Sequence, residues 1–434
     1  MNLYEEFKAL NKRLIRGEAV PFFRAPGRKE DHRISPHDDR PLHYPRIGIY
    51  NGAGASHSWM WFVEIFDGMG FYDLVFLDER AVRTGGLEGL DVLAVSGGDT
   101  FAIAEALGRE GARRLSAFIR GGGLYLGSCA GAYLPLHSSK AHLKEFNYVR
   151  AKISNLTAAL PDARCLREKF CTPYGCSFVF HPVRETLELT PSGVIPFEGI
   201  GSFLAPLYGG PPMVPLDGVE VLATYSGFTD KTLFLVDKDT ARNTVLHKAA
   251  AVRKTLGAGH LYLFGPHFEH PGFPIANQLL AEVIYWEAGR ERPLGRTDEK
   301  GPQARTLLRN VKREVSNARI VAAGLETMPV QWKIGNKVYD PTKIRVFLEA
   351  VWKRLRRLER RKALRLVETQ ENRTVVSAAR VASILRDMRR DMKGEGVSPQ
   401  KAAELFRALN QTCTFFLESY FSAELERFME EPLE

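Results

Sequence analysis

Residues 124–133 read Leu-Tyr-Leu-Gly-Ser-Cys-Ala-Gly-Ala-Tyr, a short apolar run that breaks at Gly127-x-Cys129-x-Gly131 and continues with helical spacing. This is the nucleophile-elbow pattern, with cysteine where many hydrolases carry serine. A strand that turns at once into a helix forces the residue at the turn into a strained backbone, so its neighbours must be small. The sulfur of Cys129 then sits at a helix N-terminus, where unsatisfied amides and the helix dipole favour thiolate over thiol. The amide of Ala130 is placed to donate to a developing oxyanion. A second donor is available from Gly97-Gly98-Asp99, which ends a neighbouring apolar run.

A thiolate nucleophile needs a base, and the base needs an acid to orient it. Both are on offer at Gly265-Pro266-His267-Phe268-Glu269-His270-Pro271, directly after the strand-like run 258–264. His267 would be the base. Glu269, two residues on, would hold its ring in one tautomer. His270 in the same Pro-rich loop reads as a surface histidine. A third group, Cys165, Cys171, Cys176 and His181, has ligand chemistry at the spacing C-x5-C-x4-C-x4-H, whereas zinc sites usually show C-x2-4-C pairs. The reading there is unpaired thiols, with a disulfide or a metal site as the sharper alternatives.

The elements that would position these residues alternate. Strand-like runs at 46–50, 73–77, 91–96 and 123–126 are separated by helical spacing at 56–69 and 100–120, and each run stops at glycine or a turn. Such alternation implies parallel βαβ units with ligands at the carboxyl ends of the strands. Residues 134–257 hold further short strands near 199–208, 219–225 and 232–235. Their aromatics Phe197, Phe203, Tyr208 and Tyr225 read as core or pocket wall. There is no Walker loop and no G-x-G-x-x-G turn, so no cofactor is expected.

Cys129 in its elbow, Gly97-Gly98 upstream and His267/Glu269 downstream resemble the class I glutamine amidotransferase-like superfamily. The nearer resemblance is to the amidotransferase-like domain at the N-terminus of biotin–protein ligases. It is carried by Asn51-Gly52-Ala53-Gly54, the Gly-Ser-Cys-Ala-Gly-Ala-Tyr elbow and the Gly-Pro-His-x-Glu-His finish, and it covers roughly residues 45–290. The resemblance implies a flavodoxin-like sheet, Cys129 as nucleophile, His267 as base and Glu269 as orienting acid. It implies a carboxamide of glutamine type, or a peptide-like bond, as substrate. Phe268 departs from the proline that amidotransferases usually carry between the histidine and the acid. The G-R-G-R-x-G loop of biotin ligation is absent, so ligation is not implied.

The last third differs in texture. The chain has 434 residues and a net charge of +9, and residues 301–434 carry all of that excess. Apolar residues recur at helical spacing through Ile344, Phe347, Leu348, Val351, Leu355 and Leu358, and again through Val381, Ile384, Leu385 and Met388. A further helix opens at Ser398-Pro399, an N-cap followed by proline. Together with a helix near 303–322 these predict a bundle, with the run Lys353–Lys362 as a basic outer face. Three parts are expected: an N-terminal helical or extended arm (1–44), an amidotransferase-like α/β domain with its elbow (45–295), and a C-terminal all-α bundle (303–434).

Function follows as amide chemistry through a thioester, on a small-molecule amide or peptide. Ammonia transfer would require a partner synthetase or acceptor protein, because no ATP-using domain is apparent. The competing reading is a binding or regulatory module of the same fold, with the basic bundle docking an acidic partner. The apolar runs are too short for a membrane span, the five cysteines make no disulfide framework, and the N-terminus lacks a secretory apolar core. A cytoplasmic location is expected.

Overall fold

The computed structural model describes residues 3–23, 41–156, 179–288, 304–335, 337–360, 368–392 and 397–430. The chain divides into two compact units, Met1–Phe71 with Val75–Arg292, and Tyr72–Leu74 with Pro293–Glu434.

The first unit begins with α1 (Leu3–Ile15), β1 (Ile47–Tyr50), α2 (Trp59–Met69), β2 (Leu74–Leu77) and α3 (Glu79–Arg83). It continues with β3 (Val92–Val95), α4 (Thr100–Arg120), β4 (Leu124–Ser128) and the single-turn α5 (Ala130–Tyr133). Seven strands follow: β5 (Ala151–Ile153), β6 (Val183–Pro191), β7 (Phe203–Leu207), β8 (Met213–Pro215), β9 (Glu220–Phe228), β10 (Leu233–Phe234) and, after α6 (Lys238–Val245), β11 (Ala249–Leu256). β12 (Gly259–Phe264) and α7 (Pro274–Glu287) complete it.

One mixed sheet holds these twelve strands, in the order β10-β6-β9-β11-β12-β4-β3-β1-β2, with β7 on β6, and β8 and β5 beyond β11. β12, β4, β3 and β1 run parallel to one another. β1, β3 and β4 are buried along their whole length, as expected of strands covered on both faces. Only this half is the expected flavodoxin-like parallel sheet. From β11 outward the pairings are antiparallel. β11 carries no strand signal in the sequence: its Ala-Ala-Ala-Val start has weak strand propensity, and burial between β12 and β9 overrides it.

The N-terminal arm is not a separate piece. Phe7, Leu10 and Leu14 of α1 are buried, and Phe7 stacks on Tyr285 of α7 at 6.0 Å. Asn11 is fully buried; its side-chain nitrogen donates to the Met69 carbonyl at 2.9 Å, and its side-chain oxygen accepts from Tyr285 Oη at 2.6 Å.

The second unit holds α8 (Ala304–Glu326), a hairpin of β13 (Trp332–Ile334) and β14 (Lys337–Tyr339), α9 (Pro341–Glu359), α10 (Glu368–Asp391) and α11 (Pro399–Glu430). α8 and α11 each pack against both α9 and α10, which therefore stand at opposite corners. The apolar stripes read from the sequence are buried, and Ser398 caps α11 through the Lys401 amide. The basic run behaves differently from the expectation of one outer face. Arg354 is fully buried, with its guanidinium over the rings of Tyr420 and Phe421. Among the described residues, Arg356, Arg357 and Arg360 are exposed at the α9 corner, whereas Arg386, Arg389 and Arg390 are exposed at the α10 corner.

Replacing Asn11 with alanine leaves a buried carbonyl and a buried phenol without their partner. It is expected to cost about 1–3 kcal/mol, read as a lowered urea midpoint. An unchanged midpoint would mean that α1 is not part of the cooperative unit.

Candidate active site

Cys129 occupies the turn between β4 and α5 with φ 52 and ψ −107. A non-glycine residue there stores strain of order 1–3 kcal/mol, and surrounding contacts must enforce it. They do so from two sides. The Cys129 amide donates to the Phe264 carbonyl of β12 at 3.0 Å, and the Cys129 carbonyl accepts from the amides of Ala132 and Tyr133. Gly131 donates to the Ser96 carbonyl at the end of β3. A β-carbon on Gly131 would lie 2.0 Å from the Val95 carbonyl oxygen, which is why this position of the elbow must be glycine. The thiol is in no disulfide and only 3% exposed. The helix after it is a single turn, so its dipole is small. The charge facing Cys129 comes from elsewhere.

That charge is His267. β12 ends at Phe264, the Gly265 amide bonds back to the Ala250 carbonyl, and the His267 amide bonds to the Pro206 carbonyl at 2.9 Å. These bonds set the turn that brings His267 and Glu269 together. His267 Nδ1 lies 2.7 Å from Glu269 Oε1, and both side chains are buried. Nδ1 is thus committed to the carboxylate, and the ring also makes a side-chain hydrogen bond with Cys129, for which Nε2 remains. Burial opposes charge on this imidazole, but Glu269 and Cys129 outweigh it and push its pKa up to about 9. Burial likewise opposes ionisation of Glu269. The facing His267 and a hydroxyl from Ser96 reverse that and hold the carboxyl below its ordinary range.

Nothing in the sequence marks Ser96 as part of the site. It closes β3 just before Gly97-Gly98, and its hydroxyl donates to Glu269 Oε1 at 2.6 Å. A hydroxyl has one proton to give. The shorter bond to the carboxylate claims it, which leaves Ser96 Oγ to accept from Ser58 Oγ, 2.8 Å away. The neighbouring Gly97 is equally constrained, because a β-carbon there would come within 2.7 Å of the His267 ring. Trp61 stands edge-on to His267 at 5.0 Å and packs on His270 at 4.6 Å, with Tyr208 beyond.

The remaining candidates separate. The Ala130 amide opens α5, so it has no partner within the helix. Gly98 pairs with Ala55 through an isolated bridge that uses the Ser56 and Asp99 amides, turning the Gly98 amide to the other side. The Asp99 carboxylate accepts from the Phe101 and Ala102 amides and so caps α4. His270 is half-buried: its Nδ1 accepts from the Gly272 amide, and burial lowers its pKa. Phe268, in place of the usual proline, stacks on Phe264 at 4.5 Å and meets Phe203 edge-on, anchoring the turn in the core. Cys165, Cys171 and Cys176 lie outside the described residues. His181 packs beneath Gly209. Among the described residues no group of three or more His, Cys, Asp or Glu could hold a metal, and no helix is long and apolar enough to cross a membrane.

His267 binds its proton more tightly in the folded chain than an ordinary imidazole of pKa 6.5. The pair therefore contributes stability that is fully present below pH 6.5 and is lost as pH rises through about 9. Glu269→Gln removes the charge and keeps the shape. With burial then less opposed, the His267 titration midpoint is expected to fall, as followed by NMR of labelled histidine. An unmoved midpoint would show that Glu269 does not hold the charge.

No curated protein matches the chain. Similar solved structures include a glutamine amidotransferase, 16% identical over 55% of this chain and 98% of that one, with a TM-score of 0.36. They also include a glutamine amidotransferase from Thermotoga maritima (10%, 56% and 83%, TM-score 0.32). A β-galactosidase from Bacillus circulans sp. alkalophilus is a third (13%, 55% and 30%, TM-score 0.30). Likeness this low decides no activity, and the named chemistries differ. Residues 47–147, from β1 through the elbow, match the model described as "Biotin-protein ligase, N terminal"; over that stretch the α/β unit is related to the biotin ligase N-terminal domain.

Proposed function

We propose that the first unit is a cysteine-dependent amidohydrolase or amidotransferase acting on a carboxamide. The observation that carries this reading is the meeting of a strained Cys129 with a buried His267–Glu269 pair at adjoining strand ends. A histidine with a pKa of about 9 is charged at neutral pH. An imidazolium beside the sulfur favours the thiolate over the thiol, and the reaction is read as starting from that ion pair.

The thiolate attacks the carboxamide carbon, forming a carbon–sulfur bond and placing negative charge on the carbonyl oxygen. The amides of Ala130 and Gly98 are the donors available to that oxygen. His267 gives its proton to the nitrogen, the carbon–nitrogen bond breaks and ammonia leaves, with a thioester on Cys129. His267, now neutral, takes a proton from water as it attacks the thioester carbon, and collapse returns the thiolate and a carboxylic acid. Glu269 stays ionised throughout and keeps Nδ1 occupied, so proton traffic passes through Nε2.

Two readouts test this. A chloroketone or diazoketone analogue of glutamine should label Cys129 stoichiometrically, and ammonia should be released from a panel of primary carboxamides. His267→Ala should lower both rates by about 10²–10⁴, and Cys129→Ala should abolish them. Equal labelling in His267→Ala, or no turnover of any carboxamide by a labelled enzyme, would favour a binding module that keeps the geometry without the reaction.

A further inference from the structure

The loop that carries His267 and Glu269 is held from the far end of the chain. Asn277, in the first turn of α7, is fully buried. Its side-chain nitrogen donates to the Phe268 carbonyl at 2.5 Å and to the His270 carbonyl at 3.0 Å, the two carbonyls that flank Glu269. Both amide protons are thereby spent. The other end of the same carboxamide, Oδ1, accepts from the hydroxyl of Tyr4 at 2.5 Å, and that hydroxyl also lies 3.4 Å from the Pro271 carbonyl. The orientation is fixed by chemistry: flipping the amide would set its oxygen against two carbonyl oxygens and lose both bonds to the loop.

We infer that Tyr4 and Asn277 are positioning residues of the site, so that α1 acts as a strap that fixes the His267–Glu269 turn from residues far outside the family-matched segment. This rests on the reading of Cys129 as a nucleophile paired with His267. A loop gripped at both carbonyls around Glu269 cannot swing without breaking the Asn277 bonds. Asn277 cannot rotate to follow it without leaving Tyr4. α1 is itself anchored independently, through Asn11 to Met69 and Tyr285. The strap therefore has a fixed end at Asn11 and a working end at Tyr4.

The test is the pH dependence of Cys129 alkylation by iodoacetamide in the full chain, followed by mass spectrometry. Loosening the turn weakens the imidazolium's hold on the thiolate, so reactivity should begin at higher pH. Tyr4→Phe removes one oxygen and is expected to slow alkylation at neutral pH roughly three- to tenfold, with that upward shift. Asn277→Asp, which loses both donors, should do more. Tyr285→Phe is the control, because it removes a bond to the same helix but touches nothing in the loop. It should lower the melting temperature and leave the profile in place. A wild-type profile in Tyr4→Phe, or an equal shift in Tyr285→Phe, overturns the strap. If His267→Ala also leaves the profile unchanged, the nucleophile reading fails with it. If His267→Ala shifts the profile and Tyr4→Phe does not, only the strap fails.

Discussion

Glu269 is a carboxylate with no exposure to solvent, and the site depends on what neutralises it. An unpaired buried ion costs several kcal/mol. Here the imidazole of His267 at 2.7 Å and the hydroxyl of Ser96 at 2.6 Å share one carboxylate oxygen. The consequence runs outward. A carboxylate held ionised keeps His267 charged through neutrality, and a charged imidazole beside Cys129 favours the thiolate. The strained turn at Cys129 sets its side chain within hydrogen-bonding reach of that imidazole.

The parallel half of the sheet makes this arrangement available. β3, β4 and β12 lie side by side and point the same way, so their carboxyl ends deliver Ser96, Cys129 and the His267 turn to one edge. Backbone bonds tie the three ends together, from Cys129 to Phe264 and from Gly131 to Ser96. Gly97 and Gly131 allow the close approach, one under the imidazole and one against β3. The antiparallel half contributes differently, by supplying the Pro206 carbonyl that fixes the His267 amide and the aromatic bed for Phe268.

Much of this is legible in the residues. The elbow and the His-x-Glu finish are local patterns, and each strand that matters ends at a turn signal. What the residues do not reveal depends on distance along the chain. Ser96 carries no mark beyond preceding two glycines, and its partner lies 173 residues away. Tyr4 and Asn277 are 273 residues apart, and nothing in an amphipathic N-terminal helix announces that one phenol reaches a distant loop. The helix dipole expected to activate Cys129 shrank to a single turn, because helix length after an elbow is decided by packing. Arg354 shows the reverse error: in a run of arginines the sequence pattern assigns charge to the outside, yet this one lies over Tyr420 in the bundle.

The most direct measurement is the ultraviolet thiolate absorbance of Cys129 as a function of pH, taken as the difference between the wild-type chain and Cys129→Ser. A thiolate–imidazolium pair gives a thiolate signal already present at neutral pH, and one that moves to higher pH in His267→Ala. A wild-type thiol that ionises only in the ordinary cysteine range, unaffected by loss of His267, would contradict the account.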